Sequence, residues 1–363
     1  MKLFTIGPTQ MYETTFVVRN RQIPYFRTTE FSELIYETND LLKNFMKTSK
    51  ESSVIYLTAS GTGGMEATVM NCFNEDDKIL VIVGGNFGQR FADICRIHEL
   101  NYDVLKVENN ESLKKSDFDR FRGQGYTGLL VNLHETSTGQ LYDIDIIKEF
   151  CQQEGAYLIV DAIGTFLCDE FAMDDNNIDA VLISTQKGLC VSPGMALVVL
   201  NKKIVENKIN KNQVKNMYFD FKDYIYNMGH GQTPFTPAVG VIFEINDMLK
   251  YIRNNGGVEK HLAIIEERAI HFRKLLKENG LTYPETYTLS NAETPVQLNV
   301  PIAKKIFEEL KDKYNLFVNP VGGQMQDYML RIAHIGNLQL EDYDELITKI
   351  MGIINKNKGS YSK

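Results

Sequence analysis

The sequence predicts an α/β protein: a large domain built on a mostly parallel sheet, followed by a smaller α/β domain. Three observations support this prediction. Short apolar runs alternate with segments of helical periodicity up to about residue 200. Helices between strands are the crossover connections that parallel strands need, and they cover both faces of the sheet. Two prolines then interrupt the chain near residues 233–237, and two long helical segments follow.

The composition limits the classes of function. A hydrophobic fraction of 43% and a charged fraction of 24% are typical of globular proteins. The net charge of −8 disfavours a nucleic-acid partner, because it implies no large basic face. No apolar run is long enough to span a membrane, and the first residues lack the apolar core of a signal peptide. We therefore expect a cytoplasmic protein without a membrane partner.

Cysteines and histidines give no sign of a metal site. The five cysteines contain no CxxC pair, and the six histidines have neither HxxxH nor HExxH spacing. We expect buried free thiols and no bound metal.

The elements follow from the apolar pattern. Seven strands are predicted in the large domain, at residues 53–58, 78–83, 103–107, 127–133, 157–161, 180–184 and 196–200. Helices are predicted there at 31–47, 65–73, 89–99 and 144–154, and residues 1–30 read as irregular. After residue 240 we predict helices at 239–253, 258–279, 303–314 and 340–353, with strands at 297–300 and 329–333. The predicted divisions are an N-terminal arm (1–15), a large domain (16–240) and a small domain (241–363).

Lys187 follows a buried strand directly. The strand ends at Ser184, and Lys187 and Gly188 come three and four residues later. Burial disfavours an ammonium group and lowers its pKa, which gives the free amine that forms a Schiff base with an aldehyde. A solvated lysine in a turn is the alternative, and for an isolated lysine it would be the better interpretation.

Lys187 is not isolated, because other polar or glycine-rich residues also follow predicted strands. Ligands bind at the carboxyl ends of strands in open α/β sheets. The residues expected at that edge are Ser60–Thr62, Phe87, Thr136–Thr138, Asp161 and Gln186–Lys187.

Residues 60–64, Ser-Gly-Thr-Gly-Gly, join a predicted strand to a helix. Backbone N–H groups at a helix N-terminus, with the hydroxyl of Thr62, suit a phosphate monoester. A tight turn without a ligand is the alternative. The segment matches neither GxxxxGK[ST] nor GxGxxG, so a nucleotide is not favoured.

Three further residues have both a ligand-binding and a structural interpretation. Asp161 ends an apolar strand and could pair with a protonated pyridine nitrogen, or cap the next loop. Phe87, predicted in a loop, could stack on a flat ring or pack against the protein. Arg331, inside an apolar strand, could bind a substrate carboxylate or form a structural salt bridge.

Six motifs in order resemble the class V family of pyridoxal-phosphate aminotransferases, and within it the alanine–glyoxylate / serine–pyruvate aminotransferase branch. The motifs are SGTGGMEA (60–67), GGNFGQRF (84–91), HETSTG (134–139), VDAIG (160–164), STQKGLCVSPG (184–194) and LRIAHIGN (330–337). The resemblance implies pyridoxal-phosphate fold type I, with a seven-stranded, mostly parallel sheet in the large domain.

The resemblance also implies residue roles. Lys187 would hold pyridoxal 5′-phosphate as a Schiff base and move the α-proton, and Asp161 would pair with the pyridine nitrogen. Arg331 would bind the substrate carboxylate, and Thr233 would reach the phosphate of a neighbouring subunit in a homodimer with sites at the interface. The remaining implied cofactor contacts are Ser60, Gly61, Thr62, Phe87, Thr136, Ile163 and Gln186.

The function implied is ping-pong transamination between a small amino acid, of alanine or serine type, and a 2-oxo acid, pyruvate or glyoxylate. A 2-aminoethylphosphonate–pyruvate transaminase and a non-catalytic relative are the alternatives. A cysteine desulfurase is disfavoured, because that branch usually carries histidine where this chain has Gln186.

The sequence departs from the family pattern at three places. His230 stands where tyrosine is frequent, Ser192 replaces a proline, and the N-terminal arm matches loosely.

Overall fold

The computed structural model describes residues 1–108 and 111–357, which form thirteen strands and eleven α-helices in the described ranges. The strands are β1 (Lys2–Phe4), β2 (Ser53–Leu57), β3 (Lys78–Val83), β4 (Asn101–Lys106), β5 (Gly128–Asn132), β6 (His134–Glu135), β7 (Gln140–Leu141), β8 (Tyr157–Asp161), β9 (Ala180–Ser184), β10 (Ala196–Leu200), β11 (Glu293–Gln297), β12 (Leu316–Pro320) and β13 (Met329–Ala333). The helices are α1 (Glu13–Arg19), α2 (Thr29–Phe45), α3 (Gly61–Cys72), α4 (Asn86–Ile97), α5 (Ile144–Glu154), α6 (Lys202–Ile204), α7 (Phe221–Met228), α8 (Val239–Asn254), α9 (Gly257–Glu278), α10 (Ala303–Tyr314) and α11 (Leu340–Asn357).

Seven strands form the main sheet in the order β2-β10-β9-β8-β5-β3-β4. Strand β10 runs antiparallel to both of its neighbours, and the other adjacent pairs are parallel. The predicted fold class, with a seven-stranded and mostly parallel sheet, is confirmed. Parallel strands bring their carboxyl ends to one edge, and that edge carries the predicted site.

The apolar runs are strands because both of their faces are covered. Successive side chains of β3 enter opposite cores: Leu80 and Ile82 join a cluster with Ile35 of α2, while Ile79 and Val81 join one with α3 and α4. A strand buried on both faces reads as a continuous apolar run.

Helix α8 packs in the core of the main sheet. Its residues Ile245, Met248 and Leu249 are buried in the cluster that also contains Phe31 and Ile35 of α2. The small-domain boundary predicted at residue 241 falls near the start of this helix.

The N-terminus is more ordered than the sequence predicts. Residues 1–30 were expected to be irregular, but Lys2–Phe4 pair in parallel with Leu316–Val318 in a second sheet of order β1-β12-β13-β11. Helix α1 follows at Glu13–Arg19. The expectation is wrong because a three-residue strand is too short to show periodicity, and its partner is more than 300 residues away.

The second sheet also shifts one predicted strand. The strand expected at 297–300 lies at Glu293–Gln297, where Glu293 and Thr294 are polar yet buried. Strand β12 was not predicted, because Asn319 and Pro320 break its apolar pattern. Across the described residues, no helix is both long and apolar enough to cross a membrane.

Phe4 tests whether the N-terminal strand is part of the second core. Its ring is fully buried and lies 5.4 Å from that of Tyr343. Phe4→Ala should lower the free energy of unfolding by about 3–5 kcal/mol, the usual cost of deleting a buried ring. Denaturant unfolding measures the change. Ile270→Ala, at an exposed position of α9, is the control and should cost less than about 0.5 kcal/mol; equal losses would contradict the packing.

Candidate active site

A cavity of about 170 Å³ lies at the carboxyl edge of the main sheet. Nine of the residues singled out in the sequence line it together: Ser60, Gly61, Thr62, Phe87, Thr136, Asp161, Ile163, Gln186 and Lys187. Met65, Arg90, His134 and Gly164 complete the lining. The chain therefore brings residues from five separate segments to one place.

The glycine turn forms the N-terminus of α3. Ser60 caps this helix, and its Oγ accepts a hydrogen bond from the backbone N–H of Gly63 at 3.3 Å. Gly61 packs so closely that a Cβ there would lie 2.6 Å from Cδ1 of Ile163. The unpaired N–H groups at the start of a twelve-residue helix make this end of the cavity suitable for an anion.

Phe87 lies in the first turn of α4, which corrects the prediction of a loop. The carboxylate of Glu135 accepts hydrogen bonds from the backbone N–H groups of Phe87, at 3.2 Å, and Gly88, at 3.1 Å. Glu135 thus caps the helix from a segment about fifty residues away, and sequence periodicity cannot show such a cap. In the sequence, the only indication that Glu135 belongs to the site was its position within HETSTG.

Arg90 is a cavity residue that the sequence analysis missed. Its Nη1 donates to Oγ1 of Thr62 at 2.9 Å, and its guanidinium lies 4.8 Å from the centroid of the Phe87 ring. Phe87 and Arg90 are three residues apart on one helix, so they share a face. That spacing could have identified Arg90 once α4 was assigned.

Asp161 lies at the end of β8, nearly inaccessible to solvent. Burial raises the pKa of its carboxyl group to about 6. The backbone N–H of Ile163, which donates to Oδ1 at 2.8 Å, and the positive charge of Lys187 both oppose this rise. Among the described residues, the only hydrogen bond to this carboxylate is the one from Ile163. Oδ2 is therefore available to a further donor.

Lys187 projects into the same cavity from the segment after β9. Burial lowers the pKa of its ammonium group, and the positive charge of Arg331 adds to this, while Glu293 and Asp161 oppose it. The arm at Gly7 lies against it: a Cβ on Gly7 would be 2.8–3.0 Å from Cδ, Cε and Nζ of Lys187. A lowered pKa favours the free amine that was predicted from the sequence.

Arg331 and Thr233 do not line this cavity. Arg331 is nevertheless close, since its Nη1 donates to the carbonyl oxygen of Thr136, a cavity residue, at 2.5 Å. Thr233 is buried elsewhere, and its hydroxyl donates to the carbonyl oxygen of Phe235 at 2.7 Å. The chain alone therefore places Arg331 beside the cavity and Thr233 apart from it.

His134 and Glu293 form a second polar contact that the sequence analysis did not single out. Both side chains are fully buried, and Nε2 of His134 lies 3.6 Å from Oε1 of Glu293. Burial alone would lower the pKa of His134, but the Glu293 carboxylate, together with Asp169 and the carbonyl oxygen of Gly164, raises it. These residues come from different sheets, so their spacing in the sequence carries no signal.

Comparison with known proteins decides the family. The family model for class V aminotransferases matches residues 10–309, which is most of the chain. The chain belongs to the class V aminotransferase family.

The names of two relatives indicate the range of activities among similar proteins. An L-aspartate–glyoxylate aminotransferase from Paracoccus denitrificans is 25% identical over 93% of this chain and 86% of its own length. A 2-aminoethylphosphonate–pyruvate transaminase from Phocaeicola vulgatus is 27% identical over 84% of each chain. The crystal structure of an alanine–glyoxylate aminotransferase from Nostoc sp. superposes with a TM-score of 0.90 at 21% identity, covering 97% of this chain and 94% of that one, and supports the fold.

The contact between the arm and Lys187 of this aminotransferase is testable. Gly7→Ala should displace the Lys187 side chain and slow the reaction of this amine with an added aldehyde, pyridoxal phosphate, by about tenfold or more, since small misplacements of a reacting group are costly. The rate is followed by the absorbance of the Schiff base. Gly322→Ala, at a position with no neighbouring atom within 4 Å of the added Cβ, should react at the wild-type rate. Equal rates for the two variants would show that the arm does not constrain Lys187.

Proposed function

We propose that this aminotransferase binds pyridoxal 5′-phosphate in the cavity at the sheet edge and transfers the amino group of a small amino acid, of alanine or serine type, to pyruvate or glyoxylate. The observation that supports the proposal most is that the amine of Lys187 and the carboxylate of Asp161 line one cavity. The names of the similar proteins, an aspartate–glyoxylate and an alanine–glyoxylate aminotransferase, agree with a small oxo acid as acceptor.

The residues present fit the cofactor. Asp161 is a buried residue, and one of its carboxylate oxygens has no hydrogen-bond donor in the described part of the chain, as a protonated pyridine nitrogen requires. The capped N-terminus of α3, with Ser60, Gly61 and Thr62, supplies N–H groups and a hydroxyl for a phosphate. Phe87, whose backbone is held by Glu135, provides an aromatic face in the same cavity.

When bound, pyridoxal phosphate supplies a ring that accepts electrons from the substrate α-carbon. Asp161 keeps the ring nitrogen protonated through its negative charge. Lys187, with its lowered pKa, presents a free amine to the aldehyde and afterwards takes and returns the α-proton. Thr136, Ile163 and Gln186 also line the cavity and would complete the contacts to the cofactor.

The phosphonate reaction is the second candidate, favoured by the relative named 2-aminoethylphosphonate–pyruvate transaminase. It would need cationic groups for a phosphonate. Arg27, one possible cation, already donates to the carbonyl oxygens of Thr233, at 2.9 Å, and Pro234, at 3.3 Å. Arg90 lines the cavity, but its guanidinium donates to Thr62 at the end proposed to hold the cofactor phosphate. Arg331 then remains beside the cavity for the substrate, and one guanidinium suits a carboxylate. The geometry therefore favours the amino acid donor.

Lys187→Ala tests the catalytic proposal. Holoenzyme mixed with alanine or serine should lose its visible absorbance as the cofactor takes up the amino group. The variant should be slower by about 1,000-fold or more, since a loss of about 4 kcal/mol of transition-state stabilisation has that effect. Lys313→Ala, on the exposed surface of α10, should behave as wild type. A Lys187 variant that reacts normally would refute the role of Lys187. Protein that never develops colour with pyridoxal phosphate would favour the non-catalytic alternative.

We also propose a homodimer with the site at its interface, in which Thr233 contacts the phosphate in the partner subunit. The support comes from exposed apolar side chains on two segments, one before Arg27 and one before Thr233. Hydrogen bonds from Arg27 to the carbonyl oxygens of residues 233 and 234 connect these segments. The exposed side chains are Phe16, Val17, Ile23, Tyr25, Met217, Tyr218 and Tyr226. So many exposed apolar residues on neighbouring segments are typical of a covered surface.

Tyr226→Asp tests the dimer, because Tyr226 is 70% exposed. A buried charge at an interface is costly, so the variant should dissociate at concentrations at least about tenfold higher than wild type. Analytical ultracentrifugation measures the dissociation constant. Ile97→Asp changes an apolar residue of similar exposure, 61%, on α4 and should leave the dimer intact. Wild-type protein that sediments as a monomer would contradict the proposal.

A further inference from the structure

The contact between His134 and Glu293 requires a proton. Nδ1 of His134 lies 3.0 Å from the carbonyl oxygen of Gly164, and only an N–H can hydrogen-bond to a carbonyl. The other ring nitrogen, Nε2, then faces the Glu293 carboxylate at 3.6 Å. If Nε2 carried no proton, a lone pair would face a carboxylate, which is unfavourable. One proton is therefore held between the two groups.

The surroundings strengthen this requirement. Neither carboxylate oxygen of Glu293, nor Nε2 of His134, has a hydrogen-bond partner among the described residues, and all of these atoms are buried. A buried carboxylate without hydrogen bonds is costly unless a positive charge or a proton compensates it. The two nearest groups that could compensate it are His134 and Arg331.

Glu293 lies on the same face of the second sheet as Arg331. In the register of β11 and β13, Glu293 is opposite Ala333 and Pro295 is opposite Arg331, so the side chains of 293, 295, 331 and 333 share a face. Nη1 of Arg331 lies 3.9 Å from Oε1 of Glu293, and Nε of Arg331 is buried without a partner. The guanidinium is thus in contact with Glu293 and retains an unused donor.

The charged groups around the pair come from three segments. Lys187 follows β9, Arg331 lies on β13, and Asp169 follows β8. Asp169 is occupied, since it accepts hydrogen bonds from Ser290 Oγ at 2.5 Å and from the backbone N–H of Asn291 at 2.7 Å. Among these groups, Arg331 makes the closest contact with Glu293.

We propose that His134 and Glu293 are a positioning pair that holds one proton and thereby sets how strongly Arg331 attracts a substrate carboxylate. With the proton present, the pair is neutral and Arg331 keeps its full positive charge. When the proton is lost, the pair carries a negative charge that offsets Arg331. Carboxylate affinity should then fall as the pH rises. This inference rests on the proposed role of Arg331.

The test is the pH dependence of carboxylate binding to the holoenzyme. Propionate is the probe, because it carries a carboxylate but no amino group to transfer, and calorimetry gives its dissociation constant. For wild type we expect a rise of about tenfold between about pH 6 and about pH 9, the order of magnitude for one unit charge at short range near a protein surface. Glu293→Gln removes that charge at every pH, so its dissociation constant should stay low and change by less than about twofold.

A matched control is available in a second His–Glu contact. Nε2 of His98 lies 3.0 Å from Oε1 of Glu66, outside the cavity, so Glu66→Gln should keep the wild-type pH profile. If Glu293→Gln does not fold, Glu293→Leu removes the same charge.

The outcomes separate this inference from the proposed function. If wild type and Glu293→Gln show the same pH dependence, the pair does not act on Arg331 and the inference is overturned. If Arg331→Gln binds propionate as well as wild type does, the role of Arg331 and the inference fail together. Conversion of the cofactor by alanine, measured on the same samples, tests transamination separately, because propionate binding does not depend on it.

Discussion

The site depends on the parallel pairing of β8 with β9. Residues 159–161 of β8 lie opposite residues 180–182 of β9, so Asp161 ends one strand where the adjacent strand continues toward Lys187. Both groups are drawn out of water, and their pKa values move in opposite directions because burial disfavours each charged form. A ligand that interacts with both groups would stabilise a carboxylate and an amine that are held in this way. A protonated ring bearing an aldehyde would do so.

The rest of the site supports that arrangement from other segments. Glu135 fixes the start of α4 and with it Phe87, while Arg90 on the same helix reaches Thr62 on α3. The second sheet contributes Arg331 and Glu293, and the N-terminal arm brings Gly7 against Lys187. The main sheet thus provides the groups proposed to hold the cofactor, and the second sheet provides those proposed to recognise the substrate.

Local patterns in the sequence predicted most of this fold. Six of the seven strands of the main sheet are apolar and mostly buried, whereas β4 is a partly exposed strand at the sheet edge, and each of the seven was placed to within a few residues. The nine residues found together in the cavity were recognised because they follow strands or belong to motifs. Strands β1 and β12 were missed because they are short or polar and depend on partners far away in the chain.

The residues missed in the site share the same cause. Glu135 acts as a helix cap for residues about fifty positions away, and Glu293 contacts His134 in another sheet and Arg331 on a neighbouring strand of its own sheet. Phe87 was assigned to a loop because the two glycines before it mask the start of α4. Long-range contacts of this kind follow from the tertiary structure and leave no periodic signal in the sequence.

The crystal structure of this protein with pyridoxal phosphate tests the central claim most directly. The account predicts continuous density between Nζ of Lys187 and the aldehyde carbon, with a carboxylate oxygen of Asp161 about 2.7–2.9 Å from the ring nitrogen, the distance of a charge-assisted hydrogen bond. A cofactor bound in another cavity, or a ring nitrogen that faces a group other than Asp161, would contradict it.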